Sequence, residues 1–176
     1  GFDFMNKLKL VIPNNSYKFQ AQEYIEEFKR YNSNINGSGN LEKYKDYDMW
    51  LDFLNEMKNP KNGNIPRSTF FVVRECDNKI IGMINIRHGL DNFLLNEYGN
   101  IGYSVRPTER NKGYANKILH LGLNECKKIG LNKVLLVCAK NNIASEKVIR
   151  HNGGIYWNKI DTKCEGKDTQ RYWIYI

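Results

Sequence analysis

The chain has 176 residues, 41% of them hydrophobic and 12% aromatic, values that exclude a disordered chain and suffice for one core of mixed helices and strands. No apolar run approaches the roughly 20 residues of a membrane helix, and the segment from Met5 reaches Pro13 before the apolar core of a signal peptide forms. The formal charge of +8 lies on scattered lysines, of which only Lys127 and Lys128 are adjacent, a pattern that suits a soluble surface attractive to anions rather than a nucleic-acid or membrane partner.

Met5 reads as the natural start and Gly1 to Phe4 as a cloning remnant, so residues 5–176 are expected to form one domain. Residues 7–12 alternate polar and apolar as a strand does, and Pro13 ends them. Phe19, Ala21, Tyr24, Ile25 and Phe28 mark a helix within 16–31, and Gly37 and Gly39 mark a loop over 33–40. A second helix over 43–58 carries Tyr47, Trp50, Leu51, Leu54 and Met57 on one face and the acidic line Asp48, Asp52, Glu56 on another. Tyr44, Tyr47 and Trp50 fit a core or the cap of a pocket. A hairpin follows, 69–74 and 79–86, turning at Asp77-Asn78. Residues 88–98 read as an irregular connection and 99–105 as a central strand stopped by Pro107. Ala115, Ile118, Leu119, Gly122, Cys126 and Ile129 recur at helical spacing until Gly130. A buried strand over 133–138, a helix over 143–151 and strands at 155–157 and 171–176 complete an α/β pattern around one sheet. Cys76, Cys126, Cys138 and Cys164 form no Cys-x-x-Cys pair and have no His at zinc spacing. They are read as reduced thiols of a cytoplasmic protein, with no metal site expected.

The chemistry concentrates in Val105-Arg106-Pro107-Thr108-Glu109-Arg110-Asn111-Lys112-Gly113-Tyr114-Ala115, where a strand runs through a basic, glycine-containing loop into a helix. The first backbone N–H groups of a helix lack internal partners and carry the positive end of its dipole, which makes them an anion site. Gly113 would let the backbone approach a phosphate, with Arg110 and Lys112 adding charge. Neither a GxGxxG loop nor a P-loop is present.

Arg110-x-x-Gly113-x-Ala115 resembles the Arg/Gln-x-x-Gly-x-Gly/Ala coenzyme A loop of the GNAT N-acetyltransferases. Val134-Leu135-Leu136-Val137, Asn142-x-x-Ser145 and Asn152-Gly153-Gly154 resemble that family's next strand, cofactor-side helix and following turn. Ile101 to Pro107, Ile86-Arg87-His88 and Arg171 to Ile174 resemble a bacterial GNAT group of undefined substrate. The resemblance implies an α/β (α+β) GNAT acyl-CoA N-acyltransferase fold: a mixed, mostly antiparallel central sheet of about six to seven strands, flanked by about four helices, with splayed central strands.

It further implies acetyl-CoA as cosubstrate and direct attack of a primary amine in a ternary complex. Ser104 and Val105 would hold the pantetheine arm, Arg110, Asn111, Lys112, Gly113, Tyr114 and Ala115 the pyrophosphate, and Asn142 and Ser145 would contact the cofactor from the next helix. The family's usual acid, a Tyr seven residues after that Asn, is Ile149 here, so Ser145, Cys138 or bulk water becomes the substitute. His88 and Glu97 are the candidate bases, since the central strand carries Asn100 where a Glu is common. The acidic line on the second helix is read as a solvated face or an attraction for a cationic amine. The acceptor stays open among small amines, amino acids or peptides, and protein amines. The chain is expected to be a monomer or homodimer. A coenzyme A-binding module without catalysis is the alternative from another class. A nucleic-acid-associated protein is a further one, which would bind with strong salt dependence.

Overall fold

Alternation and helical spacing translate into twelve elements. The computed structural model describes residues 6–163 and 166–176. In chain order they are β1 (Leu8–Val11), α1 (Lys18–Arg30), α2 (Tyr47–Lys58), β2 (Arg67–Arg74), β3 (Lys79–Arg87), α3 (Asn92–Glu97), β4 (Ile101–Val105), α4 (Tyr114–Lys128), β5 (Lys133–Ala139), α5 (Ile143–His151), β6 (Ile155–Thr162) and β7 (Gly166–Tyr175). The predicted remnant 1–4, the start at Met5 and Cys164 lie outside the described residues. Cys126 and Cys138 are buried and Cys76 is exposed. Among the described residues no helix is long and apolar enough to cross a membrane.

The strands form two sheets, ordered β1-β2-β3-β4 and β5-β7-β6, and each ladder between them is antiparallel. The expected single mixed sheet is therefore divided between β4 and β5, where the central strands were expected to splay. Alternation explains the layers. Phe71 and Val73 of β2 face α1 and α2, packing on Ala21, Tyr24, Phe28 and Trp50. Val72, with Ile81, Ile84 and Ile86 of β3, faces α4 and packs on Ile118, Leu119 and Leu123.

Four expectations need correction. The connection 88–98 contains a helix, α3, whose N-cap Asp91 accepts from the Leu94 N–H at 2.8 Å, bringing the α-helices among the described residues to five. The strand expected from Gly99 begins at Ile101, because Gly99 takes a left-handed φ of 70°. β6 runs to Thr162, and β7 begins at Gly166 rather than at Arg171.

Candidate active site

β4 and β5 are joined by hydrogen bonds at a single pivot among the described residues. The Asn100 N–H donates to the Leu135 carbonyl, and the Leu135 N–H donates to Asn100 Oδ1, both at 2.8 Å. A side-chain amide thus stands where the next residue of a ladder would be, while Asn100 Nδ2 donates to the Arg87 carbonyl at 3.1 Å. Gly99 permits the approach: a Cβ there would lie 2.4 Å from the Leu135 carbonyl oxygen. Past the pivot the strands diverge and open a cleft of about 890 Å3, lined by Tyr103 and Val105 on one side and Leu136 and Cys138 on the other.

Ladder phase decides what β4 offers this cleft. Arg106 N–H donates to the Ile81 carbonyl and Arg87 N–H to the Asn100 carbonyl, each at 2.7 Å. The even-numbered residues therefore pair with β3, and the backbone groups of Ile101, Tyr103 and Val105 point into the cleft. Ser104 faces the other way: its backbone belongs to the β3 ladder and its hydroxyl lies 2.8 Å from the Tyr24 hydroxyl.

At the cleft's mouth Asn111 and Gly113 adopt φ of 61° and 81°, a concave backbone from which α4 starts without a side-chain cap. A Cβ at Gly113 would meet no protein atom within 4 Å. Space and unclaimed amides coincide there, as an anion requires. Arg110, Asn111, Gly113, Tyr114 and Ala115 all line the mouth. Tyr114 contributes backbone only, since its hydroxyl donates to Asn6 Oδ1 at 2.7 Å and accepts from Arg74 at 3.0 Å.

A family model described as Acetyltransferase (GNAT) domain matches residues 16–155. The chain belongs to the GNAT family. Its solved GNAT-fold neighbours include a ribosomal L7/L12 alpha-N-protein acetyltransferase in complex with coenzyme A (TM-score 0.69, 13% identity, 96% of this chain and 94% of that one). Another is the spermidine N-acetyltransferase of Vibrio cholerae (TM-score 0.65, 14% identity, 96% and 93% of the chains). A third, from Salmonella typhimurium, modifies the N-terminal serine of 50S ribosomal subunit protein L7/L12 (TM-score 0.66, 14% identity, 98% and 97%). At these identities the likeness establishes the fold. No sequence among the curated proteins matches.

Within this GNAT frame the predicted cofactor residues divide. Lys112 does not line the cleft: its Nζ lies 2.9 Å from Glu109, which also pairs with Arg74 at 3.0 Å and Lys79 at 3.4 Å. Burial alone would raise the Glu109 pKa, but hydrogen bonds from Lys112 and Arg74 outweigh it and hold the carboxyl below its usual range. Arg110 shapes the mouth, donating to the Val105 carbonyl at 3.2 Å and to Ser33 Oγ at 3.0 Å, with its guanidinium 5.5 Å from the Phe28 ring centroid. Asn142 caps α5 by accepting from the Ser145 N–H at 3.1 Å, and both line the cleft.

The two candidate bases of the GNAT reading lie outside the cleft lining. His88 Nε2 is 2.8 Å from Ser68 Oγ, and burial lowers its pKa, so the ring is neutral at pH 7. Glu97 is buried at the end of α3, and its carboxylate accepts the Lys163 N–H at 3.0 Å. Asp48, Asp52 and Glu56 are exposed on α2 and do not line the cleft. Tyr47 and Trp50 are structural as well, donating to the carbonyls of Asn14 (2.7 Å) and Gly39 (2.8 Å). Tyr44 packs on Phe53 with ring centroids 5.5 Å apart.

The residue missed by sequence reasoning is Tyr103. It projects from β4 to the α5 side, where Ile149 is buried in the wall. Burial raises its pKa, hydrogen bonding with Ser145 lowers it, and neighbouring Cys138 raises it. A protonated phenol therefore stands beside both predicted side-chain substitutes.

Proposed function

We propose that this GNAT protein moves the acetyl group of acetyl-CoA to a primary amine by direct attack in a ternary complex. One observation carries the reading: a cleft runs without interruption from the uncapped start of α4 to the gap between β4 and β5. The residues present fit coenzyme A. The left-handed pair Asn111 and Gly113 leaves room and amides for a pyrophosphate, and the parted strands leave room for a thin pantetheine arm.

In this reading the N–H groups from Asn111 to Ala115 hold the pyrophosphate at the positive end of the α4 dipole. Asn142 and Ser145 bound the arm from α5. The backbone of Tyr103 and Val105, rather than that of Ser104, faces the arm, and an N–H from this pair polarises the thioester carbonyl. The amine nitrogen forms its bond to the carbonyl carbon as the carbon–sulfur bond breaks. The departing sulfur takes the proton of the Tyr103 hydroxyl, with Ser145 as its hydrogen-bond partner, and the proton that the nitrogen sheds as the amide forms restores that hydroxyl. This places an acid on β4 in a protein whose α5 carries Ile149. Holding amine and thioester together supplies up to roughly 7–11 kcal/mol of the barrier reduction. The ammonium proton leaves to solvent through the open acceptor end, since His88 and Glu97 are committed to structural hydrogen bonds. The coenzyme A complex and the amine acceptors named for the neighbouring structures support the same cosubstrate and reaction class.

Coenzyme A release measured with a thiol reagent, across a broad panel of primary amines, tests the proposal. Transfer to at least one amine is expected. Tight acetyl-CoA binding with no transfer to any amine would favour the non-catalytic module, which the isoleucine at 149 otherwise recommends.

A further inference from the structure

The cleft continues past Gly102 to a wall built by the ends of β2 and β3 and by the loop over residues 34–40. Arg67 opens β2, Arg87 closes β3, and the ladder sets them directly opposite one another. Both line this end of the cleft. Like charges facing across an antiparallel pair destabilise it, and a guanidinium N–H removed from water without a partner costs more. Both conditions hold here. Arg67 Nε, Arg87 Nε and Arg87 Nη1 are buried without a hydrogen-bond partner, and neither arginine has an ion pair among the described residues.

The other buried or half-buried arginines are treated differently. Arg74 holds Asp77 at 2.6 Å and Glu109 at 3.0 Å. Arg106 also has one buried nitrogen without a partner, Nη2, but its charge is matched: it holds Glu27 at 3.3 Å and the Ile80 carbonyl at 2.8 Å. Arg171 donates to Asn158 Oδ1 at 2.7 Å and to the Leu95 carbonyl at 3.1 Å. The carboxylate near the Arg67–Arg87 wall is Glu42, exposed at the rim and accepting from Ser38 Oγ at 2.6 Å. Arg87 is nonetheless held in place. Its guanidinium carbon lies 5.4 Å from the Tyr98 ring centroid, and its Nη1 would stand 3.4 Å from a Cβ at Gly102. Burial, and then the charge of Arg67, pushes its pKa down to about 10, which leaves it cationic at neutral pH. A pre-positioned pair of cations with idle donors lacks only an anion.

We propose that Arg67 and Arg87 form a subsite for an oxyanion, carboxylate or phosphate, carried by the acceptor on the same molecule as its reacting amine. The assignment rests on the acetyl-transfer reading and deepens it by naming the acceptor as an acidic amine. Planar guanidinium forks match either oxyanion with paired hydrogen bonds. A polyamine would meet repulsion at the same wall.

Matched acceptors test it: β-alanine against its amide, O-phosphoethanolamine against ethanolamine, a Ser-Asp-Ala against a Ser-Asn-Ala peptide, and spermidine. In at least one pair the acidic member is expected to exceed its neutral partner in kcat/KM by about 30-fold or more, the lower end for a buried charge partner. Which pair responds identifies the carboxylate or the phosphate. Arg87→Met and Arg67→Met should erase that ratio through KM, keep the acetyl-CoA affinity, and leave the unliganded melting temperature equal or raised, because a like-charge contact is removed. A merely structural role would lower the melting temperature and slow both members of each pair equally, and that result overturns the subsite. So does equal use of every pair, or a preference for spermidine, with acetyl transfer itself intact. If no amine is acetylated, the failure lies with the transfer reading. Thermal shift of the coenzyme A-bound protein with the same acidic probes then decides the subsite: a stabilisation lost in Arg87→Met sustains it, and none in the parent refutes it.

Discussion

Gly113 separates what the fold needs from what a ligand needs. A Cβ at this position meets no protein atom within 4 Å, so the strain of Gly113→Ala is confined to its φ of 81°. Left-handed backbone costs an L-residue roughly 1–2 kcal/mol. For a chain of this size, about 2–4 °C per kcal/mol gives a melting temperature lower by about 2–8 °C. Gly113→Asp carries the same backbone cost, but its carboxylate can accept from the uncapped N–H groups of α4, so the unliganded Asp variant should melt no lower than the Ala variant. The order reverses with acetyl-CoA. At 100 times its dissociation constant the parent gains about 2.7 kcal/mol, and Gly113→Asp should gain nothing, because its carboxylate occupies the pyrophosphate position. Differential scanning fluorimetry with acetyl-CoA, beside a thioester lacking phosphates, reads both effects. An Asp variant shifted as far as the parent would show that the amides of this loop do not hold the diphosphate.

Tyr103→Phe should lower kcat by about 100-fold, the low end for a general acid, with the acetyl-CoA KM unchanged. The acid must be protonated and its pKa is raised from 10.0, so in the parent a pH–rate profile should show no loss from this group until the pH passes that value. His88→Ala removes a neutral ring bonded to Ser68, and stopped assays should find kcat unchanged while the melting temperature falls. Glu109→Gln should destabilise by about 1–3 kcal/mol at pH 7 in urea titrations, because Lys79 and Lys112 lose their carboxylate and Arg74 keeps only Asp77. The folded-state pKa of Glu109 is depressed below 4.5, so its contribution is present above that pH and lost as pH falls through the depressed value. The gap between parent and variant should therefore close in acid.

Local patterns made part of this molecule legible. The helical spacing from Ala115 to Cys126 and the glycine at 113 are features of single segments, and the uncapped, open start of α4 proposed to hold the pyrophosphate follows from them without knowledge of the rest of the chain. What needed three dimensions was register. Counting outward from the Asp77-Asn78 turn, Arg74 faces Lys79, and an unbroken ladder would set Arg67 against Ile86. A bulge at Val72/Val73 slips the pairing by one residue and sets Arg67 against Arg87 instead. The same alternation removes His88: once Asn85 and Arg87 line the cleft, His88 belongs to the opposite face. The helix α3 is six residues long, too short to declare a period, and its one sequence signal was Asp91 three places before Leu94. Tyr103 went unread as an acid because the resemblance directed attention to position 149, and only the splay brings β4 alongside Ser145.

Three departures from ordinary folding rules share one surface. α2, α3 and α5 are capped by Asp46, Asp91 and Asn142, and α1, without a side-chain cap of its own, continues a turn that Asn14 caps, whereas α4 begins on a left-handed glycine with no side-chain cap. Strands elsewhere continue their ladders, yet β4 and β5 are stopped by a left-handed Gly99 and by a side chain of Asn100 standing in for backbone. Arg74 and Arg106 have carboxylates, yet Arg67 and Arg87 face each other. Each departure weakens the fold by an amount that a cap, a continued ladder or a glutamate would recover. All three lie along one cleft, at its mouth, its pivot and its far wall. Each leaves donors unused: amides at the mouth, strand N–H groups past the pivot, guanidinium nitrogens at the wall. A surface lined with idle donors is most stable when acceptors arrive from outside, so the sites of weakness in the free protein are the sites where ligand binding must return the most stability.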